Sequence, residues 1–127
     1  MSADLALSTT ARRGCVIVSV AGEVDLGTAT QLSEHTVAAM QERGPNMVLD
    51  LSAVTFMDST GLKVLLACQR RTRLAGGELG LSGPAHSVGR VLSVTGLDQV
   101  FVIRDTVDET VDALAGTIAG DAHAVAD

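Results

Sequence analysis

The stretch from Met47 to Leu62 constrains this chain more than any other. Met47-Val48-Leu49-Asp50-Leu51 is apolar on both sides of its pleat except at Asp50. Such a run suits an interior strand covered by helices on at least one face. It leads through Phe56-Met57-Asp58-Ser59-Thr60-Gly61 into an apolar helix holding Leu62, Leu65, Leu66 and Cys68. A serine thus stands at the mouth of a strand-to-helix turn, where backbone N–H groups point outward. Its hydroxyl either caps the helix or marks a place where a phosphate arrives and changes what the surface binds.

The flanking segments predict the rest of the fold. Leu5–Thr9 alternates as a short strand, and Arg12-Arg13-Gly14 reads as a turn. Cys15–Ala21 is rich in β-branched residues, so the two strands should form a hairpin. Gly22–Gly27 breaks the pattern, and a helix from about Thr28 to Arg43 stops at Gly44-Pro45. After the central helix, Glu78–Ser82 reads as a strand, Pro84 to about Val94 as a shorter helix, and Val100–Ile103 as the last strand. Thr106-Val107-Asp108-Glu109 fits a capping box, and Val107, Val111, Leu114 and Ile118 recur at helical spacing. The order ββαβαβαβα predicts an α/β domain with a largely parallel centre and one antiparallel edge. No linker or repeat interrupts it, so residues 1–127 are expected to form one domain, with a core over about 5–115 and a disordered tail at 120–127.

Composition removes several function classes. The net charge of −6 argues against nucleic-acid binding and against a basic membrane-surface protein. Phe56 and Phe101 are the only aromatic side chains besides histidine, so stacking platforms for single-stranded nucleic acid are missing. No signal peptide is visible at Met1-Ser2-Ala3-Asp4, and no apolar run approaches the ~18 residues of a spanning helix. Cys15 and Cys68 match no zinc or redox spacing and are expected to be reduced, buried thiols.

The candidates for catalysis are weak. Ser59 and Lys63 are four residues apart, whereas the penicillin-binding type of serine–lysine pair is spaced by three and carries companion motifs missing here. His35, His86 and His123 are scattered and make no metal-ligand spacing. Gly76, Gly77, Gly80 and Gly83 are not followed by the Gly-Lys-Ser/Thr of a phosphate loop. Asp50 ends an apolar run as a phosphoacceptor aspartate would, but the acidic pair expected after a first strand is absent. Arg70, Arg71 and Arg73 complement the dipole at a helix C-terminus. Ser59 remains. Phosphorylation there would add roughly −1.5 to −2 charge beside Asp58. The helix N-terminus would partly accommodate it, while a docked partner would meet repulsion and desolvation cost. The expected result is a switch in binding without a switch in fold.

Four segments in this order, Gly22-Glu23-Val24-Asp25, Val48-Leu49-Asp50-Leu51-Ser52, Phe56-Met57-Asp58-Ser59-Thr60-Gly61-Leu62 and Thr95-Gly96-Leu97-Asp98, resemble the STAS-domain anti-sigma factor antagonists of bacteria. The resemblance covers about residues 5–115. It implies a mixed sheet of about five strands with helices packed mainly on one face. It also implies a cycle. The unphosphorylated protein binds an anti-sigma factor that is a GHKL-type serine kinase, and so releases a sigma factor. The kinase phosphorylates the serine after the signature aspartate, the antagonist lets go, and a PPM-type serine phosphatase restores it. By resemblance Ser59 is the phosphoacceptor, with Thr60 a minor alternative. Asp25, Asp58, Thr60, Gly61 and Lys63 join Ser59 in the partner-binding surface. Thr60 stands where many members have a second serine, and Lys63 where many have glycine. The resemblance implies no enzyme activity, cofactor, metal, nucleic acid or membrane, and a cytoplasmic location. Two other roles stay open: a ligand- or nucleotide-sensing STAS domain, and a scaffold subunit of a stress-signalling complex.

Overall fold

A computed structural model describes the backbone of residues 4–126 and the side chains of residues 4–116. In chain order the elements are β1 (Ala6–Arg12), β2 (Cys15–Val24), α1 (Ala29–Arg43), β3 (Met47–Met57), α2 (Ser59–Leu74), β4 (Leu79–Ser82), α3 (His86–Val94), a short 3-10 turn (Leu97–Gln99), β5 (Val102–Arg104) and α4 (Val107–Ala126). The predicted order ββαβαβαβα is the observed one. The side chain of His123 and the expectation of a disordered tail at 120–127 fall outside the described side chains.

The five strands form one sheet in the order β1-β2-β3-β4-β5. β1 pairs antiparallel with β2, and the other neighbours are parallel. The hairpin turns on Arg13 and Gly14, both at positive φ (49° and 81°). Two such residues twist a tight turn in the sense the flanking strands require. Arg12 pairs with Asp108, and Arg13 with Asp112 at 2.7 Å, so the hairpin tip is tied to the first turns of α4. Both pairs are exposed and belong to the class worth roughly 0–1 kcal/mol each.

Two strands run longer than their composition suggests. Gly22 and Glu23, read as a break, lie inside β2, which pairs with β3 through irregularities at Ser19/Ala21 and Gly22/Glu23. Gly22 has φ 123°, a conformation that disfavours a side chain, and a β-carbon there would come within 3.2 Å of Leu5 Cδ2. The break in alternation is therefore a bulge. β3 likewise continues through Ser52–Met57, with Val54 and Met57 turned into the core. Both extensions deliver Val24 and Met57 side by side at the end of the sheet.

Pleat alternation divides the core in two. Val16, Val18, Met47, Leu49 and Leu81 face a large cluster with Leu32 of α1, Leu62, Leu65 and Cys68 of α2, and Val88 and Leu92 of α3. Cys15, Ile17 and Val48 face the opposite way, toward Val111 and Leu114 of α4. Helices thus sit mainly on one face, and α4 alone covers part of the other. Gly80 makes the α4 contact close, since a β-carbon there would lie 2.5 Å from Thr110 Cγ2. Thr106 Oγ1 accepts the Glu109 N–H at 3.1 Å, the N-cap half of the predicted capping box. Both cysteines are free and buried. Burial pushes the Cys68 thiol up to about 11, with Thr36 and Arg71 pulling weakly the other way. No described helix is long and apolar enough to cross a membrane.

Candidate functional site

The site begins where β3 becomes α2. Asp58, in extended backbone (φ −103°, ψ −169°), is the N-cap of α2. Its Oδ1 accepts the N–H of Thr60 at 2.9 Å and of Gly61 at 3.2 Å, and its carbonyl accepts the N–H of Leu62. The capping role that the sequence leaves open for Ser59 therefore belongs to Asp58. A carboxylate at that position serves the orphan N–H groups and the positive end of the helix dipole together. Ser59 is the first residue of α2, it is exposed, and its hydroxyl has no partner among the described residues.

Gly61 is buried. A β-carbon there would sit 2.5 Å from Met57 Cγ and 2.9 Å from Val24 Cγ1. Its missing side chain lets the first turn of α2 close onto the sheet end, which holds the backbone under Ser59. Gly61 acts beneath the partner-facing surface expected to include it.

The second wall is the loop between β2 and α1. The Asp58 N–H donates to the Val24 carbonyl at 3.3 Å, which brings this loop alongside the turn. Asp25 organises it: Oδ1 accepts the Gly27 N–H at 2.9 Å, and the carbonyl accepts the N–H groups of Thr28 and Ala29. The buried Thr28 hydroxyl donates to the Glu23 carbonyl at 2.7 Å and accepts the Asp25 N–H at 3.1 Å. Asp25 is thus half-buried beside the Ser59 turn, with its carboxylate engaged inside its own loop. Thr60 is half-buried, and Lys63, one turn further along α2, is exposed and forms no ion pair among the described residues.

Two apolar residues next to these segments in the chain, which sequence reasoning did not select, are exposed. Leu26 follows Asp25 and is 82% exposed; Phe56, two residues before Asp58, is 46% exposed. The available signal was an apolar residue in a loop, Asp25-Leu26-Gly27, and a lone aromatic just before the turn.

The other family-like segments are structural. Asp50 Oδ1 accepts the backbone N–H and the hydroxyl of Ser52 at 3.0 and 2.8 Å. The Thr95 hydroxyl donates to the Val91 carbonyl at 2.8 Å and, with Gly96 at φ 76°, ends α3. Two shallow depressions, about 210 and 340 Å³, include none of Asp25, Asp58 and Ser59 in their linings. They lie at or below the lower end of the ~300–1,000 Å³ typical of ligand sites. Among the described residues, no group of three His, Cys, Asp or Glu is placed to hold a metal ion.

Asp58→Ala is expected to lower stability by about 1 kcal/mol, since it removes the acceptor of two first-turn N–H groups. Asp58→Asn should recover most of that. Urea melts of the three proteins check this, and an unchanged midpoint in Asp58→Ala would contradict the assigned cap.

Comparison with known proteins places this geometry. The family model described as the STAS domain matches residues 6–110. The anti-sigma-F factor antagonist RsfB of Mycobacterium tuberculosis is 32% identical over 122 residues, covering 94% of this chain and 97% of that protein. An anti-sigma-B factor antagonist of Listeria monocytogenes is 33% identical over 92 residues, covering 72% and 81%. The crystal structure of an anti-sigma factor antagonist from Mycobacterium paratuberculosis superposes with a TM-score of 0.79 at 31% identity, covering 91% of this chain and 99% of that one. With the family match, these relatives and the superposition in agreement, the chain belongs to the STAS-domain family and is similar throughout to its anti-sigma factor antagonists.

Proposed function

We propose that this protein is an anti-sigma factor antagonist switched by phosphorylation of Ser59. The unmodified protein docks on an anti-sigma factor and frees the sigma factor that factor holds. The docking surface is built from the α2 start and the β2–α1 loop, with Leu26 and Phe56 as apolar contacts and Asp25, Asp58, Thr60 and Lys63 around them. The partner is an anti-sigma factor with GHKL-type serine kinase activity, and a PPM-type serine phosphatase reverses the modification. Sigma factors act on RNA polymerase, so the proposed place of action is the cytoplasm.

The observation that carries this reading is the division of labour at the turn. Asp58 caps α2, and Ser59 stands free and exposed beside it. A serine needed as a cap would lose its structural role on modification. Here a phosphate can be added while the cap remains. The relatives named as antagonists support the partner class.

The test is phosphotransfer. The protein is incubated with the anti-sigma factor from the same cell and ATP, and the phosphate is mapped by mass spectrometry. Label on Ser59, and none in Ser59→Ala although that variant still binds, is the expected result. Label elsewhere, or none in the wild type, would refute the assignment.

A further inference from the structure

Phosphorylation of Ser59 would place a dianion on a surface that already holds the carboxylates of Asp58 and Asp25. The sequence suggests that the helix N-terminus partly accommodates that charge. The structure leaves it less capacity than expected. Of the donors in the first turn, the N–H groups of Thr60 and Gly61 are already taken by Asp58 Oδ1. Only the Ser59 N–H lacks a partner among the described residues. A further cation is needed to offset a charge of about −2 at neutral pH.

Lys63 is placed to supply it. Residues four apart on a helix are neighbours on its surface, with β-carbons about 5–6 Å apart. Long helical side chains favour leaning back toward the N-terminus, which gives a lysine at 63 reach from its own turn toward the Ser59 turn. Lys63 is exposed, and no carboxylate among the described residues holds it in an ion pair. Arg73, further along α2, shows the contrast: its guanidinium is engaged by Glu78 at 3.0 Å.

Resting on the proposed switch, we propose that Lys63 is the intramolecular partner of the phosphate on Ser59. Modification then changes the docking surface twice. It adds an anion at Ser59 and withdraws a cation at Lys63 from whatever acidic group the anti-sigma factor sets against it. The backbone of α2 stays in place, because the Asp58 cap is untouched.

The test needs no kinase. Phosphoserine is installed at position 59 by genetic incorporation, and the phosphate is titrated by phosphorus NMR in three proteins: Lys63 intact, Lys63→Gln and Lys63→Arg. A neighbouring cation favours the dianion, so the midpoint with Lys63 should lie about 0.3 unit below that of Lys63→Gln. Lys63→Arg should restore the low value, and about 1 M salt should shrink the difference. Equal midpoints in the lysine and glutamine proteins would overturn the pairing and leave the phosphotransfer reading standing. Failure of phosphotransfer to Ser59 would overturn the parent reading while a displaced midpoint still upheld the pairing.

Discussion

Ser59→Asp is expected to bind the anti-sigma factor at least about 30-fold more weakly than wild type, whereas Ser59→Ala binds at close to wild-type strength. A carboxylate forced into a docked surface without a partner charge costs on the order of 2–5 kcal/mol, and every 1.4 kcal/mol is a factor of ten in affinity. The local field makes this case worse, since Asp58 is adjacent and Asp25 lies across the Val24–Asp58 backbone hydrogen bond. Loss of binding could also arise from a damaged helix start, and the structure separates the two causes. The cap is Asp58, so Ser59→Asp leaves both first-turn hydrogen bonds in place and even adds a favourable charge near the helix N-terminus. Its thermal stability should match or slightly exceed that of wild type. Calorimetric binding together with a melt decides the matter. Tight binding by Ser59→Asp would remove the electrostatic basis of the switch, and a matching fall in stability would point to damage of the turn instead.

The largest effect on stability is expected at Leu49. It is fully buried in β3, the middle strand, level with Val18 of β2 on one side and Leu81 of β4 on the other. All three point into the cluster beneath α1, α2 and α3. Leu49→Ala removes apolar atoms and leaves a cavity walled by paired strands that cannot easily close in. Substitutions of this kind cost about 3–5 kcal/mol. A domain of this size has roughly 5–15 kcal/mol in total, so the variant should be close to the limit of folding. In urea the midpoint should fall with little change in slope. A loss below about 1 kcal/mol would mean that the centre of the sheet is less tightly enclosed than its burial indicates.

The contrast between Asp58 and Ser59 also marks how far local sequence rules reach. Both residue types cap helices, and both stand at the right place, so propensity could not choose between them. The choice follows from Met57. With Met57 paired opposite Val24 at the end of the sheet, the next residue is the last in extended backbone and the one after it is the first in the helix. Register thus handed the cap to the aspartate and left the serine exposed. Leu26 and Phe56 were missed for a related reason. An apolar residue in a sequence suggests core, and only the folded chain shows Leu26, in the loop after β2, and Phe56, near the end of β3, to be exposed.

What this chain determines by itself is its order of elements, its mixed sheet and the serine turn. These follow from the apolar run at Met47–Leu51, the β-branched run after Cys15, the Gly44-Pro45 stop and the Thr106 cap, each a local preference that the fold does not oppose. Tertiary structure alone decided which side chain caps α2, that the break at Gly22 is a bulge within a strand, and that Gly61 is packing rather than surface. Those outcomes depend on pairing and close approach between segments distant in the chain, and a string of residues carries no distances between its parts.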